Sequence, residues 1–150
     1  MHDARAPGSP EVERGAGPRL PWSRERVRGW GMTSGGESSV LRPTSAEEVA
    51  AALREVGAAG GSLGLRGSGC SYGDASLNTG GHLLDFGRMN RILSFDEERG
   101  EAVVEPGVTI RDLWRHSIGH GYWPTVVPGT MEVSCGGAAA MNIHGKNNFA

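Results

Sequence analysis

Nine residues, Arg66-Gly67-Ser68-Gly69-Cys70-Ser71-Tyr72-Gly73-Asp74, constrain this chain more than any other stretch. They follow directly on Ser62 to Arg66, which reads as a short strand. Glycines at 67, 69 and 73 let the backbone take left-handed angles and approach a ligand closely. Successive N–H groups in such a loop form an anion nest, and Ser71 adds a hydroxyl donor, so a pyrophosphate suits it. A purely structural turn accounts for the same glycines. The spacing G-x-G-x-x-x-G is one residue longer than the dinucleotide fingerprint. Asp74-Ala75-Ser76-Leu77-Asn78 follows it, with no apolar helical period, which argues against a Rossmann fold. A P-loop is excluded, because no glycine-rich loop ends in Gly-Lys-Ser or Gly-Lys-Thr.

The loop belongs to a wider pattern. The chain holds 25 glycines in 150 residues, more than twice the usual share of ~7%. They have no collagen-like period and cluster between apolar segments, as in a folded chain with several tight turns. The length suits one domain. Fifteen basic and 17 acidic side chains are well mixed, for a formal net charge of −2. No basic stripe marks a nucleic-acid partner. Cys70 and Cys135 make no disulfide framework. No apolar run is long enough to span a membrane, and no secretory core is present at the start. The expectation is a soluble chain, cytoplasmic by default and compatible with peripheral membrane association. Residues 1–21, rich in Pro, Gly, Arg and Glu, read as a disordered leader to a domain over 22–150.

Helices and strands alternate through that domain. Trp22 to Gly31 supplies a first short element. Ser45-Ala46-Glu47-Glu48 is a capping box, followed by Val49, Leu53 and Val56 at helical spacing and a stop at Gly57 and Gly60-Gly61. His82 to Phe86, Arg91 to Phe95 and Glu101 to Glu105 read as strands. Thr109 caps a second helix with Ile110, Leu113, Trp114 and Ile118 on its apolar face. Tyr122 to Val127 reads as a strand broken at Pro124, Pro128-Gly129-Thr130 as a turn, and Ser134 to Ile143 as a close-packed helical turn. The sum is an α+β domain. His116 and His120 have a metal-ligand spacing but lack the H-E-x-x-H pattern, and histidines favouring the helix dipole explain them better, so no metal is assigned.

Two further segments could carry chemistry. Pro128-Gly129-Thr130 is followed by small side chains over the eight positions Val133 to Ala140, which permit backbone contact with a flat or extended ligand, or close packing in the core. Ile143-His144-Gly145-Lys146-Asn147-Asn148 is a polar end to an apolar segment: Lys146 could hold an anionic group and His144 could exchange a proton. A solvated loop has the same composition.

In this order and at these separations, the segments resemble the PCMH-type FAD-binding domain of the vanillyl-alcohol oxidase superfamily, and within it the decaprenylphosphoryl-β-D-ribose oxidase subfamily. The shared runs are Arg-Gly-x-Gly-x-Ser-Tyr-Gly-Asp (Arg66 to Asp74), Pro-Gly-Thr with a later Gly-Gly (Pro128 to Thr130, Gly136-Gly137) and Ile-His-Gly-Lys-Asn (Ile143 to Asn147). Gly29-Trp30-Gly31 matches the start of that subfamily's domain. The resemblance implies two α+β subdomains with FAD between them, the second incomplete in this chain, and a substrate domain absent. It implies that the cofactor pyrophosphate is wrapped by residues 66–75: Arg66, Gly67, Ser68, Gly69, Cys70, Ser71, Tyr72, Gly73, Asp74 and Ala75. Gly129, Ser134, Cys135, Gly136 and Gly137 would line the rest, and Met141, Asn142, Ile143 and His144 would run toward the flavin. Lys146 would lie on the substrate side, leaving His144 and Lys146 as the local catalytic candidates.

Several relatives carry a flavin-linking histidine where this chain has Cys70, so non-covalent FAD is expected. The subfamily's His-His after Lys-Asn is replaced by Asn148 and Phe149. The implied activity is FAD-dependent oxidation of an alcohol carbon on a sugar or sugar lipid. Aldonolactone oxidation or reduction of a carbon–carbon double bond fits the same domain, and a non-enzymatic phosphate-binding module is the remaining alternative. The fragment alone is expected to be inactive.

Overall fold

The structure is a computed structural model that describes residues 20–145. The expected leader therefore lies outside the described residues, apart from Leu20 and Pro21. The main sheet has the order β1 (Ser23–Arg28), β2 (Gly35–Leu41), β4 (His82–Asp85), β3 (Leu63–Arg66). Strand β1 (Ser23–Arg28) and strand β2 (Gly35–Leu41) form an antiparallel hairpin, registered from Ser23 opposite Val40 to Arg28 opposite Gly35. Strand β4 (His82–Asp85) runs parallel to β2 on one side and to β3 (Leu63–Arg66) on the other. Its Leu83 and Leu84 are fully buried, as expected of a central parallel strand covered on both faces.

Strand β2 was not anticipated, for a physical reason. Its inward residues are Gly36, Ser38 and Val40, so the period-2 alternation carries almost no hydrophobic signal. Ser38 tolerates burial because its hydroxyl donates to the Asn78 carbonyl at 2.9 Å.

Helix α1 (Ala46–Ala58) links β2 to β3. Ser45 caps it, its hydroxyl accepting from the Glu48 N–H. The return bond is displaced by one residue: the Glu48 carboxylate accepts from the Thr44 N–H at 2.6 Å and not from Ser45. The apolar face is also shifted from the expected one. Ala52 and Val56 are buried whereas Leu53 is 53% exposed, because 52 and 56 lie one turn apart on the face turned to the core and 53 is rotated about 100° away from it. Ala52 meets Leu41 and Leu84 in a core flanked by Leu20, Trp22, Val49, Leu63 and Phe86.

A second layer begins with the antiparallel pair β5 (Ile92–Asp96) and β6 (Glu101–Val104). Buried Glu105 closes its base, accepting from the Arg91 N–H at 2.8 Å and from the Arg91 guanidinium. Helix α2 (Ile110–Ser117) starts at a complete capping box between Thr109 and Asp112. It ends in a 3₁₀ turn stopped by Gly121, whose φ is 83°. Ile118, expected on the apolar face, is about half exposed because it has already entered that turn. His116 and His120 pack their rings on Phe95, and His120 Nδ1 lies 3.1 Å from Glu97.

The expected strand at Tyr122 to Val127 does not form. The Tyr122 backbone bonds back to Ser117, its phenol donates to the Glu97 carbonyl at 2.6 Å, and Pro124 has no N–H to offer a ladder. Helix α3 (Cys135–Ala140) is the expected small-residue turn. The α+β expectation holds, and among the described residues no helix is long and apolar enough to cross a membrane.

Candidate functional site

The glycine loop leaves the sheet at Arg66, the last residue of β3. Gly69 and Gly73 both have positive φ, 69° and 66°, and so occupy the region that an L side chain enters only with strain. The Arg66 guanidinium turns back under the loop and donates to the Ser76 hydroxyl at 3.1 Å and the Ser76 carbonyl at 3.3 Å. Gly69 is buried over it: a Cβ there would lie 2.6 Å from the guanidinium carbon. On the outer side, a Cβ at Gly29 would run into the Gly73 carbonyl, so the β1–β2 turn braces the loop by backbone contact.

The facing wall is the start of α3. Its position is set by backbone bonds from the Cys135 N–H to the Val108 carbonyl (2.7 Å) and from the Gly136 N–H to the Pro106 carbonyl (2.9 Å). Ser134 caps the helix, its hydroxyl accepting from the Gly137 N–H at 3.3 Å, and is almost fully buried. Loop and wall meet where Gly67 faces Ser134: a Cβ on Gly67 would collide with the Ser134 hydroxyl. A Cβ on Gly136 would sit 2.7 Å from the Pro106 Cβ and 2.9 Å from its carbonyl oxygen.

Between them lies a cleft of about 700 Å³, lined by residues 65–72 on one side and by Val133, Ser134, Gly136, Gly137, Ala140 and Met141 on the other. That volume falls within the ~300–1,000 Å³ usual for a small-molecule site. Arg66 is the one charged residue among those lining it, and no carboxylate is among them. Among the described residues no hydrogen bond engages the Ser68 or Ser71 hydroxyl. Cys70 and Cys135 are both free. Burial, and secondarily Glu132, pushes the Cys70 thiol above the usual range, with Arg66 opposing. Burial, and secondarily Asp112, does the same for Cys135.

The structure brings Arg66 to Tyr72 together with Ser134, Gly136, Gly137, Met141 and Ile143 on this cleft. Gly73 and Asp74 belong to the same loop but do not line it. Cys135 and Asn142 face a second cavity of about 570 Å³ on the opposite side of α3, with Phe95, Tyr122 and Trp123. Gly129 lines neither cavity, and a Cβ on it would meet nothing within 4 Å. His144 is exposed beyond α3 and lines neither cavity, and Lys146 lies outside the described residues. Sequence reasoning did not single out Pro106, Phe86 or Ser76 for the site. Only the Pro106-Gly107 strand stop gave any signal, since these contacts depend on how β4, β6 and α3 converge.

A model of the family described as "FAD binding domain" matches residues 38–150. The chain is 38% identical over 132 residues to decaprenylphosphoryl-beta-D-ribose oxidase of Mycolicibacterium smegmatis, covering 87% of this chain and 29% of that protein. It is 28% identical to L-gulonolactone oxidase of Bos taurus over 79% of this chain and 27% of that protein. Among solved structures, an alkyldihydroxyacetonephosphate synthase superposes with a TM-score of 0.63 at 21% identity, over 73% of this chain and 21% of that one. The chain thus spans less than a third of the length of these relatives.

Proposed function

Since this chain belongs to the FAD binding domain family, we propose that it holds FAD non-covalently in the cleft between the 66–76 loop and α3, as the cofactor-binding part of an oxidoreductase that oxidises an alcohol carbon of a sugar or sugar lipid. The observation that carries the reading is the cleft itself: a glycine loop at its narrowest point, uncommitted serine hydroxyls, and Arg66 as its one charge. The residues fit the group: Gly67 and Gly69 bring bare backbone to the cleft, and no carboxylate lines it to repel phosphates.

In this reading residues 67–72 present N–H groups, and the Ser68 and Ser71 hydroxyls, to the pyrophosphate. Small residues of α3 let the backbone lie against the rest of the cofactor. Leu65, Val133 and Met141 exclude water from its apolar parts. When bound, FAD supplies the capacity to take up hydride from a hydroxyl-bearing carbon. Cys70, at the loop's midpoint, cannot form a histidyl link, and its raised thiol pKa disfavours the thiolate that a cysteinyl link requires. His144 and Lys146 are proposed at the substrate end, His144 being placed just past α3. The similarity to a ribose-lipid oxidase supports a sugar-lipid substrate, while the likeness to L-gulonolactone oxidase supports lactone oxidation as a second reading.

The test is the visible absorption spectrum of the purified chain with added FAD, before and after acid precipitation. Flavin bands that appear on the protein and pass to the supernatant on precipitation support non-covalent FAD. Bands retained in the pellet overturn the non-covalent assignment, and no binding at excess FAD overturns the site.

A further inference from the structure

The side chain of Arg66 sits at the mouth of a proposed anion site, yet its hydrogen bonds run elsewhere. Both that are described go to one residue, Ser76, which is 5% exposed. Ser76 ends the loop that Arg66 begins, so the guanidinium spans the base of a nine-residue excursion, 67–75, and ties its two ends together. Gly69, three residues on from Arg66, is buried directly on the guanidinium, with a φ of 69° that lets its backbone come that close. Arg66 is also anchored behind: it pairs with Asp85 in the β3–β4 register. Both bonds leave one terminal nitrogen, Nη1, while Nη2 and the guanidinium carbon lie against Gly69, so one planar group holds the loop at two points.

We infer that Arg66 is a positioning residue, a strut that locks the 67–75 loop into its ligand-ready shape from beneath and not a direct phosphate ligand. The inference rests on the proposed FAD site for its purpose, but the strut itself is a property of the loop. Without it the loop would have to order itself around the ligand at each binding event, and affinity would fall by that ordering cost.

The experiment uses the full chain and compares Arg66→Met and Ser76→Ala with the unchanged protein. Limited chymotrypsin digestion without FAD reads the loop at Tyr72, which is 86% exposed, with Leu93, 56% exposed, as an internal control outside the loop. Cleavage after Tyr72 is expected to rise about tenfold in Arg66→Met, the scale of a lost charge-assisted hydrogen bond, and about threefold in Ser76→Ala, which keeps the carbonyl acceptor. Cleavage after Leu93 should not change. FAD titrations should show both variants weakened and the double variant no weaker than Arg66→Met alone, because both substitutions remove the same strut.

Unchanged Tyr72 cleavage in both variants overturns the proposal. So does normal FAD affinity in Ser76→Ala alongside a large loss in Arg66→Met, the signature of a direct ligand. If Arg66→Met does not fold, Ser76→Ala, which keeps every charge, decides alone by the same two readouts. If the unchanged protein binds no FAD, the proposed function fails while the digestion still decides the strut.

Discussion

Placing a methyl group on Gly136 tests how the cleft wall is held. Gly136 lies in α3 with no positive φ, so Ala is conformationally welcome there, and helix propensity alone favours the change by up to about 1 kcal/mol. The surroundings oppose it. The new Cβ would stand 2.7 Å from the Pro106 Cβ, 2.9 Å from the Pro106 oxygen and 3.1 Å from its Cα. None of these is the tip of a flexible side chain, and the Pro106 carbonyl is fixed by the bond it accepts from Gly136 itself. Overpacking against such a wall costs about 1–3 kcal/mol, and at the middle of that range a net loss of about 1 kcal/mol remains after the propensity gain. Gly57→Ala is the matched control: it lies near the end of α1 and its Cβ would meet nothing within 4 Å. That substitution should stabilise by about 0.5–1 kcal/mol. Urea unfolding with a shared m-value reads both. If Gly136→Ala is as stable as the unchanged protein, or moves in the same direction as Gly57→Ala, the steric account of the wall is wrong.

Other substitutions probe separate links. Ser134→Ala removes the α3 cap and should cost about 1 kcal/mol in urea unfolding, whereas an unshifted midpoint would mean the hydroxyl does not hold the helix start. Arg42 grips Glu25 through two hydrogen bonds and holds its carboxyl at about 2, below the usual 4.5. A depressed folded-state pKa means the contribution is complete above about pH 4.5 and disappears as pH falls toward 2. Solvent screening at this partly exposed pair limits it to roughly 1 kcal/mol. Glu25→Gln should therefore be less stable at pH 7 and equal to the unchanged protein near pH 2, and a constant gap at all pH values would rule the pair out as the cause. Cys70, its thiol pushed up by burial and Glu132, should alkylate with iodoacetamide at pH 7 more slowly than a free thiol, and more slowly still with FAD present. Peptide mapping that finds it as reactive as glutathione would remove that argument for a non-covalent cofactor.

The sequence made some elements plain and hid others for definable reasons. Capping residues are local, so Ser45 and Thr109 could be read directly, and the glycine loop could be placed because it follows a strand of readable pattern. Strand β2 was hidden because Gly36 and Ser38 occupy inward positions where an apolar residue would have signalled a buried face. Ala52 in place of Leu53 could not be foreseen, since the choice depends on how α1 is rotated about its axis against the core. At the site, the small residues of α3 were legible as permitting close approach. What they approach was not: Pro106 and the loop's Gly67 come from distant segments, and their meeting depends on chain crossings that no local window contains. Arg66 could be counted as a charge near a ligand, but its bonds to Ser76 appear only once the loop is closed.

The six residues of α3, Cys-Gly-Gly-Ala-Ala-Ala, form a partition one backbone thick between two chambers. Gly136, Gly137 and Ala140 face one, while Cys135, Ala138 and Ala139 face the other. Helical geometry thus separates the two sets of positions, and each chamber has its own tuning dial. Larger side chains at 138 or 139 would narrow the chamber beside Trp123 and leave the glycine-loop side intact, which makes this short helix a natural place for an engineer to reshape one compartment without disturbing its neighbour.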